Sequence, residues 1–216
     1  MKLSASHLTL AYREGDAVSY AVHDISIQLP ERGFVGIMGP SGSGKSSLLY
    51  LLSGLKPPTE GEVSLDYVSL TRLSEQERAK IRRERFGFVF QQPFLLNHLT
   101  ARENVMVSAL RHKGLDAEVN ALFTGLSIDH LASRFPTHLS GGERQRIAVA
   151  RAMAHQPEII FADEPTAALD HTNGRAVIEL LASYRERGLL LLVTHDPTML
   201  EEADFIYKME DGRIRE

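Results

Sequence analysis

Four apolar runs bounded by turn residues mark buried strands: Gly33 to Met38, Gly87 to Phe90, Ile159 to Ala162 and Leu189 to Thr194. Between them, apolar residues recur at three- and four-residue spacing, which predicts helices over Lys45 to Ser53, Ala101 to Leu110, Glu143 to His155 and Arg175 to Arg187. Strands that are apolar throughout and alternate with helices predict an α/β fold with a mainly parallel sheet covered on both faces. The N-terminal part differs. Leu3 to Tyr12 and Tyr20 to Gln28 alternate apolar with polar, as half-exposed antiparallel strands do, and predict a small β subdomain. Ser74 to Glu77 and Thr100 to Glu103 each fit the S/T-x-x-E capping box, and the first opens a helix placed at about Ser74 to Arg85. Asp211-Gly212 predicts a tight hairpin turn between Phe205 to Met209 and Arg213 to Arg215, with no regulatory extension expected beyond it.

The 216 residues are 43% hydrophobic and 24% charged, enough chain for a core that needs no staple. Cys 0 removes disulfides, thiolate metal sites and a cysteine nucleophile, and fits a reducing compartment. A net charge of −4 lacks the basic footprint of a dedicated nucleic-acid binder, so no nucleic-acid partner is expected. The longest aliphatic runs, such as Leu189 to Val193, fall far short of the roughly 20 apolar residues that span a bilayer, and Met1 to Leu10 has no signal-peptide core.

The candidate chemistry begins after the first buried strand. Gly39-Pro40-Ser41-Gly42-Ser43-Gly44-Lys45-Ser46, with Ser47 following, satisfies G-x-x-x-x-G-K-[ST] between a strand and a helix. Glycines let the backbone N–H groups turn toward phosphate oxygens, and the helix N-terminus adds partial positive charge. Lys45 would reach the β- and γ-phosphates, and Ser46 would ligate Mg²⁺. A second strand ends in Asp163 and Glu164, acids that could share the crevice beyond the strand ends. Asp163 is a candidate metal ligand. Glu164, pointing elsewhere by alternation, is a candidate base for an attacking water.

Leu139-Ser140-Gly141-Gly142-Glu143-Arg144-Gln145-Arg146 is a third capping box, but capping leaves its two adjacent glycines unexplained. A serine hydroxyl, bare N–H groups and a helix start make a second half-site for anions, which suggests two chains meeting around shared nucleotides.

With these motifs in order, the sequence resembles the ATP-binding-cassette ATPases over essentially its whole length. Tyr12 matches the aromatic position that stacks on adenine, Gln91 in Phe88-Val89-Phe90-Gln91 the glutamine loop, Ala168-Leu169-Asp170 the D-loop, and His195 in Val193-Thr194-His195-Asp196 the switch histidine. The resemblance implies a P-loop NTPase core, an N-terminal antiparallel β subdomain and an inserted helical subdomain at about 92–156, all in one domain. It also implies ATP and Mg²⁺ as cofactors and a head-to-tail homodimer holding two ATP molecules between Lys45 of one subunit and Ser140 to Gly142 of the other. Gln91 would ligate Mg²⁺ and sense a membrane partner, Glu164 would be the general base, His195 would hold the γ-phosphate and water in line, and Asp170 would report across the dimer.

Gly87 to Gln91, Leu95-Leu96 and Leu99 to Val105, with Ala162 to Asp170 and Tyr207 to Gly212, look like the MacB, LolD and DevA exporter branch. That branch implies a separate permease with a periplasmic adaptor, mechanotransmission, and a place on the inner face of the cell membrane. The alternative is a signalling ATPase like FtsE, which moves no solute. A DNA-repair ATPase shares the signature, but the chain has no room for its coiled-coil insertion. Ala167-Ala168 and His138 depart from the commoner residues of the branch and remove no catalytic group. Lys80 to Arg85 reads as a solvated helix face, and Phe94 to Leu96 as either a permease-facing patch or packing of the helical subdomain.

Overall fold

The computed structural model describes residues 2–15, 17–109, 114–167 and 169–215. The expected helix end at Leu110 and the D-loop residue Ala168 lie outside them.

A six-stranded sheet carries β3 (Gly33–Met38), β6 (Phe86–Val89), β7 (Ile159–Asp163), β8 (Leu189–Thr194), β9 (Phe205–Glu210) and β10 (Arg213–Arg215), in the order β10-β9-β3-β8-β7-β6. All its pairings are parallel except that of β10 with β9. A second, antiparallel sheet has the order β2-β1-β4-β5, with β1 at Leu3–Glu14, β2 at Ala17–Gln28, β4 at Glu60–Leu65 and β5 at Val68–Ser69. The helices are α1 (Lys45–Leu52), α2 (Glu75–Arg85), α3 (Ala101–Met106), α4 (Leu115–Gly125), α5 (Gly141–Met153) and α6 (His171–Ser183).

The period-two rule divides the core. Val35, Ile37, Ile159, Phe161, Leu189, Leu191 and Val193 point to one face, where α1 and the antiparallel sheet cover them. Phe34, Ile160, Ala162, Leu190 and Leu192 point to the other, under α5 and α6 and the cluster built by α3 and α4. Each strand of the pair β7 and β8 is buried along its whole length, which is why both read as continuous apolar runs. Each fully buried leucine contributes about 1.5 to 3 kcal/mol.

Several elements differ from the sequence expectation. Helix α5 begins at Gly141 because Ser140 caps it, and α6 begins at His171 because Asp170 caps it. Helix α3 stops at Met106, where Ala109 N–H donates to Met106 O in an i to i−3 turn. Strands β4 and β5 and helix α4 were not expected, although Val63 and Leu65 alternate and Leu115, Val119 and Phe123 form an i, i+4, i+8 stripe. The basic run in α2 is only partly a solvated face. Arg78 and Arg82 pair with Glu75, and Arg85 bonds Glu158 at 2.6 and 2.8 Å and Asp66 at 3.0 Å, which joins the two sheets. Within Phe94 to Leu96, Leu95 packs on the core, whereas Phe94 and Leu96 are exposed.

Strand β6 comes so close to the end of α5 that a Cβ on Gly87 would overlap the Ala152 carbonyl oxygen and lie 3.0 Å from Pro157 Cγ. Gly87→Ala is therefore expected to lower unfolding stability by about 1 to 3 kcal/mol, the usual cost of overpacking. Chemical denaturation checks this, and an unchanged midpoint would contradict the close packing.

Candidate active site

The loop after β3 is wedged between its neighbours. Gly44 has φ 96° and no room for a side chain: a Cβ would overlap the carbonyl oxygen of Ala21 on β2. A Cβ on Gly39 would overlap the carbonyl of Met209 on β9, and Gly212 N–H donates to Ser43 O at 3.1 Å. The hairpin turn at Asp211-Gly212 thus braces the loop from outside. Inside it, Lys45 Nζ donates to the carbonyls of Gly39 (2.8 Å) and Pro40 (2.9 Å). Ser41 and Gly42 form the exposed tip, and Ser47 is half-buried in the first turn of α1. The Ser43 hydroxyl is buried with no hydrogen-bond partner among the described residues. Helix α1 starts without a side-chain cap and without an acid in its first turn. Uncapped N–H groups, an unpaired hydroxyl and a lysine make an anion site.

The two acids at the end of β7 diverge. Asp163 is buried beneath α1, where its Oδ1 accepts from Ser46 Oγ and its Oδ2 from Tyr50 OH, both at 2.8 Å. Burial, then the bond to Asp163, pushes the Tyr50 hydroxyl up to about 12, so it remains a donor at neutral pH. Glu164 has φ 46°, a left-handed conformation that costs a side-chain-bearing residue on the order of 1 to 3 kcal/mol and turns its carboxylate toward the end of β8. The end of β8 holds it there. Glu164 N–H donates to Val193 O at 3.0 Å, and its carboxylate accepts from Thr194 Oγ1 at 3.1 Å and from His195 N–H at 3.0 Å. His195 Nδ1 lies 2.8 Å from Glu164 Oε1 with its ring mostly exposed.

The remaining candidates sit on other segments of the chain. Gln91 is exposed just beyond β6, and Phe90 O before it accepts from buried Gln145 of α5 at 2.9 Å. Arg151 of α5 donates to the Pro93 and Phe94 carbonyls, both at 2.7 Å. Ser140 caps α5 reciprocally with Glu143, whose carboxyl its N–H and hydroxyl hold below the usual range. Asp170 Oδ1 accepts from Asn173 N–H at 3.0 Å and Oδ2 from Asn173 Nδ2 at 2.6 Å, while Arg146 of α5 donates to Asn173 Oδ1. Tyr12 is half-exposed, with Lys56 Nζ 4.5 Å from its ring centre and bonded to its hydroxyl. Among the described residues, no hydrogen bond joins Tyr12, Gln91 or the Ser140 to Gly142 turn to the loop at 39–46. The structure adds Tyr50, Thr194, Gln145, Asn173 and Asn104 to the sequence candidates. Buried Asn104 closes the turn before α3 by bonding Leu96 at both N–H and carbonyl, and the Leu99 and Thr100 carbonyls. Tyr50 had a legible signal, since it stands four residues after Ser46 on one helix face.

The sequence model of the ABC transporter family matches residues 22–167. The chain belongs to that family. It is similar to two uncharacterized ABC transporter ATP-binding proteins of Methanocaldococcus jannaschii. One, MJ1508, is 40% identical over 219 residues, 99% of this chain and 98% of the relative. The other, MJ0796, is 38% identical over 222 residues, 98% and 94% of the respective chains. The fold matches a dimeric structure of MJ0796, described as a bacterial ABC transporter cassette, with a TM-score of 0.92 at 36% identity, covering 99% of this chain and 97% of that one. A dimeric post-hydrolysis structure of MJ0796 bound to ADP and Pi matches with a TM-score of 0.91 over the same shares.

As an ABC ATPase, the chain binds and hydrolyses ATP with Mg²⁺ as cofactor. The oxygen donors fit that metal. Ser46 Oγ and Asp163 Oδ1 stand together, and among the described residues no group of three or more His, Cys, Asp or Glu side chains could hold a metal unaided. Magnesium is commonly held by one or two such groups together with nucleotide phosphates and water. Gly44→Ala is expected to weaken ATP binding more than tenfold, because the loop must move off the Ala21 carbonyl and leave its left-handed φ. Equilibrium binding of a fluorescent ATP analogue measures this, and wild-type affinity would refute the wedge.

Proposed function

We propose that the chain is the ATP-hydrolysing subunit of an ABC export or mechanotransmission complex, driving a separate permease of the MacB, LolD or DevA type. It works as a single ATPase domain with a helical subdomain at about 92–156, on the inner face of the cell membrane. No helix among the described residues is long and apolar enough to cross a membrane, so force must pass through a partner. The observation that carries the hydrolytic reading is the divergence of Asp163 and Glu164, one acid toward Ser46 and the other toward His195.

In this reading Lys45 leaves the Gly39 and Pro40 carbonyls for the β- and γ-phosphates, and Ser46, Asp163 and Gln91 hold Mg²⁺. Glu164 takes the proton of the attacking water while His195 keeps water and γ-phosphate in line. Tyr12 stacks on adenine once Lys56 moves aside. Ser140 to Gly142 form a second anion site away from the loop, which supports a head-to-tail homodimer, and the M. jannaschii relative is dimeric in both matched structures. Asp170 relays between the two sites.

The partner's place is supported by a groove of about 440 Å³ floored by Phe86, Phe88 and Phe90, with Val107 on its wall and Arg82, Arg83 and Arg151 at its rim. An amphipathic helix of the permease, apolar toward the phenylalanines and with an acid toward Arg83, the exposed arginine of the three, fits it. Copurification of the native complex tests the partner. A membrane subunit with a large periplasmic domain and an adaptor agrees with the exporter branch, and a partner that regulates cell-wall hydrolases would replace that reading with the signalling one.

Glu164→Gln is expected to retain ATP binding, lose at least 10² of turnover and accumulate a nucleotide-bound dimer on gel filtration. Normal turnover in this variant would remove the base assignment. Gly141→Asp should leave ATP binding in the monomer within twofold and prevent the ATP-driven dimer, by setting a carboxylate against the γ-phosphate. Unimpaired dimerisation would count against the site shared between subunits.

A further inference from the structure

We propose that Tyr50 is a positioning residue for the Asp163 carboxylate and couples it to the phenylalanine cluster that floors the groove. Asp163 has two side-chain donors among the described residues, Ser46 on Oδ1 and Tyr50 on Oδ2. A serine hydroxyl can give a lone pair to the metal and keep its O–H on Asp163 Oδ1, so Ser46 and Tyr50 together hold the carboxylate plane, one on each oxygen. This inference rests on the reading of Asp163 as a metal ligand.

The ring of Tyr50 continues the contact away from the acid. It meets Phe90 edge-on, with ring centres 6.3 Å apart at 63°. Phe90 stacks on Phe88 at 5.6 Å and 6°, and Phe88 stacks on Phe161 at 5.6 Å and 16°. Phe161 precedes Asp163 by two residues on the same strand and points to the same face. The carboxylate is thus reached from the groove floor twice, through Phe90 and the Tyr50 hydroxyl and through Phe88 and the β7 backbone. Rings packed at these distances cannot shift singly without opening gaps, so displacement of Phe90 must be passed to Tyr50 or cost packing. Among the described residues, the hydrogen-bond partner of the Tyr50 hydroxyl is Asp163.

The test is Mn²⁺ binding to the full chain with ATP, read by electron paramagnetic resonance, for wild type, Tyr50→Phe, Phe90→Leu, the double variant and Asp163→Asn. Tyr50→Phe keeps the ring and removes the hydroxyl. It is expected to weaken Mn²⁺ binding roughly tenfold, as loss of a hydrogen bond to a charged group does, with ATP affinity in EDTA unchanged within twofold. A general structural defect would lower both. Phe90→Leu should weaken Mn²⁺ binding two- to fivefold in the wild-type background and by a clearly smaller factor in Tyr50→Phe, because the route through the Tyr50 hydroxyl is already cut and only the one through Phe88 remains. Equal Mn²⁺ affinity in wild type and Tyr50→Phe, alongside a loss in Asp163→Asn, overturns the role of Tyr50 and leaves the ligand assignment standing. No loss in Asp163→Asn overturns the ligand assignment and the inference with it. Additive effects of the two aromatic substitutions overturn the coupling to Phe90.

Discussion

The site depends on a steric constraint: the backbone of the phosphate loop is pressed between the carbonyl groups of Ala21 and Met209, with no space for a side chain at Gly44 or Gly39. The pressure comes from elements far apart in sequence, β2 on one side and the β9–β10 hairpin on the other. Both are needed to hold the loop open in its wrapped form, because a glycine-rich segment left alone has many conformations of similar energy. The antiparallel sheet and the C-terminal hairpin, which contribute no candidate catalytic side chain, therefore still set where phosphate can be held. The internal bonds of Lys45 to the Gly39 and Pro40 carbonyls complete the wrapping from inside.

A second constraint separates the duties of two adjacent acids. In a continuing strand, Asp163 and Glu164 would point to opposite faces of the sheet and Glu164 would enter the apolar layer under α5 and α6. The left-handed turn at Glu164 prevents this and returns the carboxylate to the strand ends, where Thr194 and His195 meet it. Three hydrogen bonds to its carboxylate and one from its own N–H offset the backbone strain. One acid is thus rigidly buried beside the serine of the loop, and its neighbour reaches an exposed imidazole. In the proposed reading, metal holding by Asp163 and proton transfer by Glu164 would not compete for the same oxygen atoms.

The parts of this that were legible in sequence are those governed by local pattern. Continuous apolar runs located β3, β7 and β8 because parallel strands are buried on both faces, and Asp211-Gly212 located the bracing hairpin because few residues accept its turn. Helix starts were misplaced where a cap lay outside the apolar stripe, as at Asp170. Tertiary partners were not legible: alternation placed Glu164 opposite Asp163, but only the left-handed φ brings it to Thr194, and no local signal marks that residue. Gln145 reads as a polar position within a signature helix, yet it is fully buried because Phe90 presents a carbonyl to it across 55 positions of sequence. Such bonds are decided by how β6 and α5 pack, through the close approach at Gly87, and a linear pattern carries no record of them.

Helix α5 (Gly141–Met153) reaches several of these segments along its whole length. Glu143 closes the cap on Ser140, Gln145 holds the carbonyl before Gln91, Arg146 holds the asparagine that fixes Asp170, and Arg151 holds the loop after Gln91. Four side chains of one helix thus fix the segments proposed to meet the second nucleotide, the metal and the membrane partner. Helix α5 is packed on the six-stranded sheet and ties these segments to one another, whereas the loop at 39–46 is held by β2 and β9. The segments of the site therefore rest on two separate sets of supports. Phe90 lies on the seam, bonded through its backbone to α5 and packed through its ring on Tyr50 of α1. In the proposed reading, a force entering at the phenylalanine groove would reach both sets of supports, through the Phe90 carbonyl to α5 and through its ring to Tyr50.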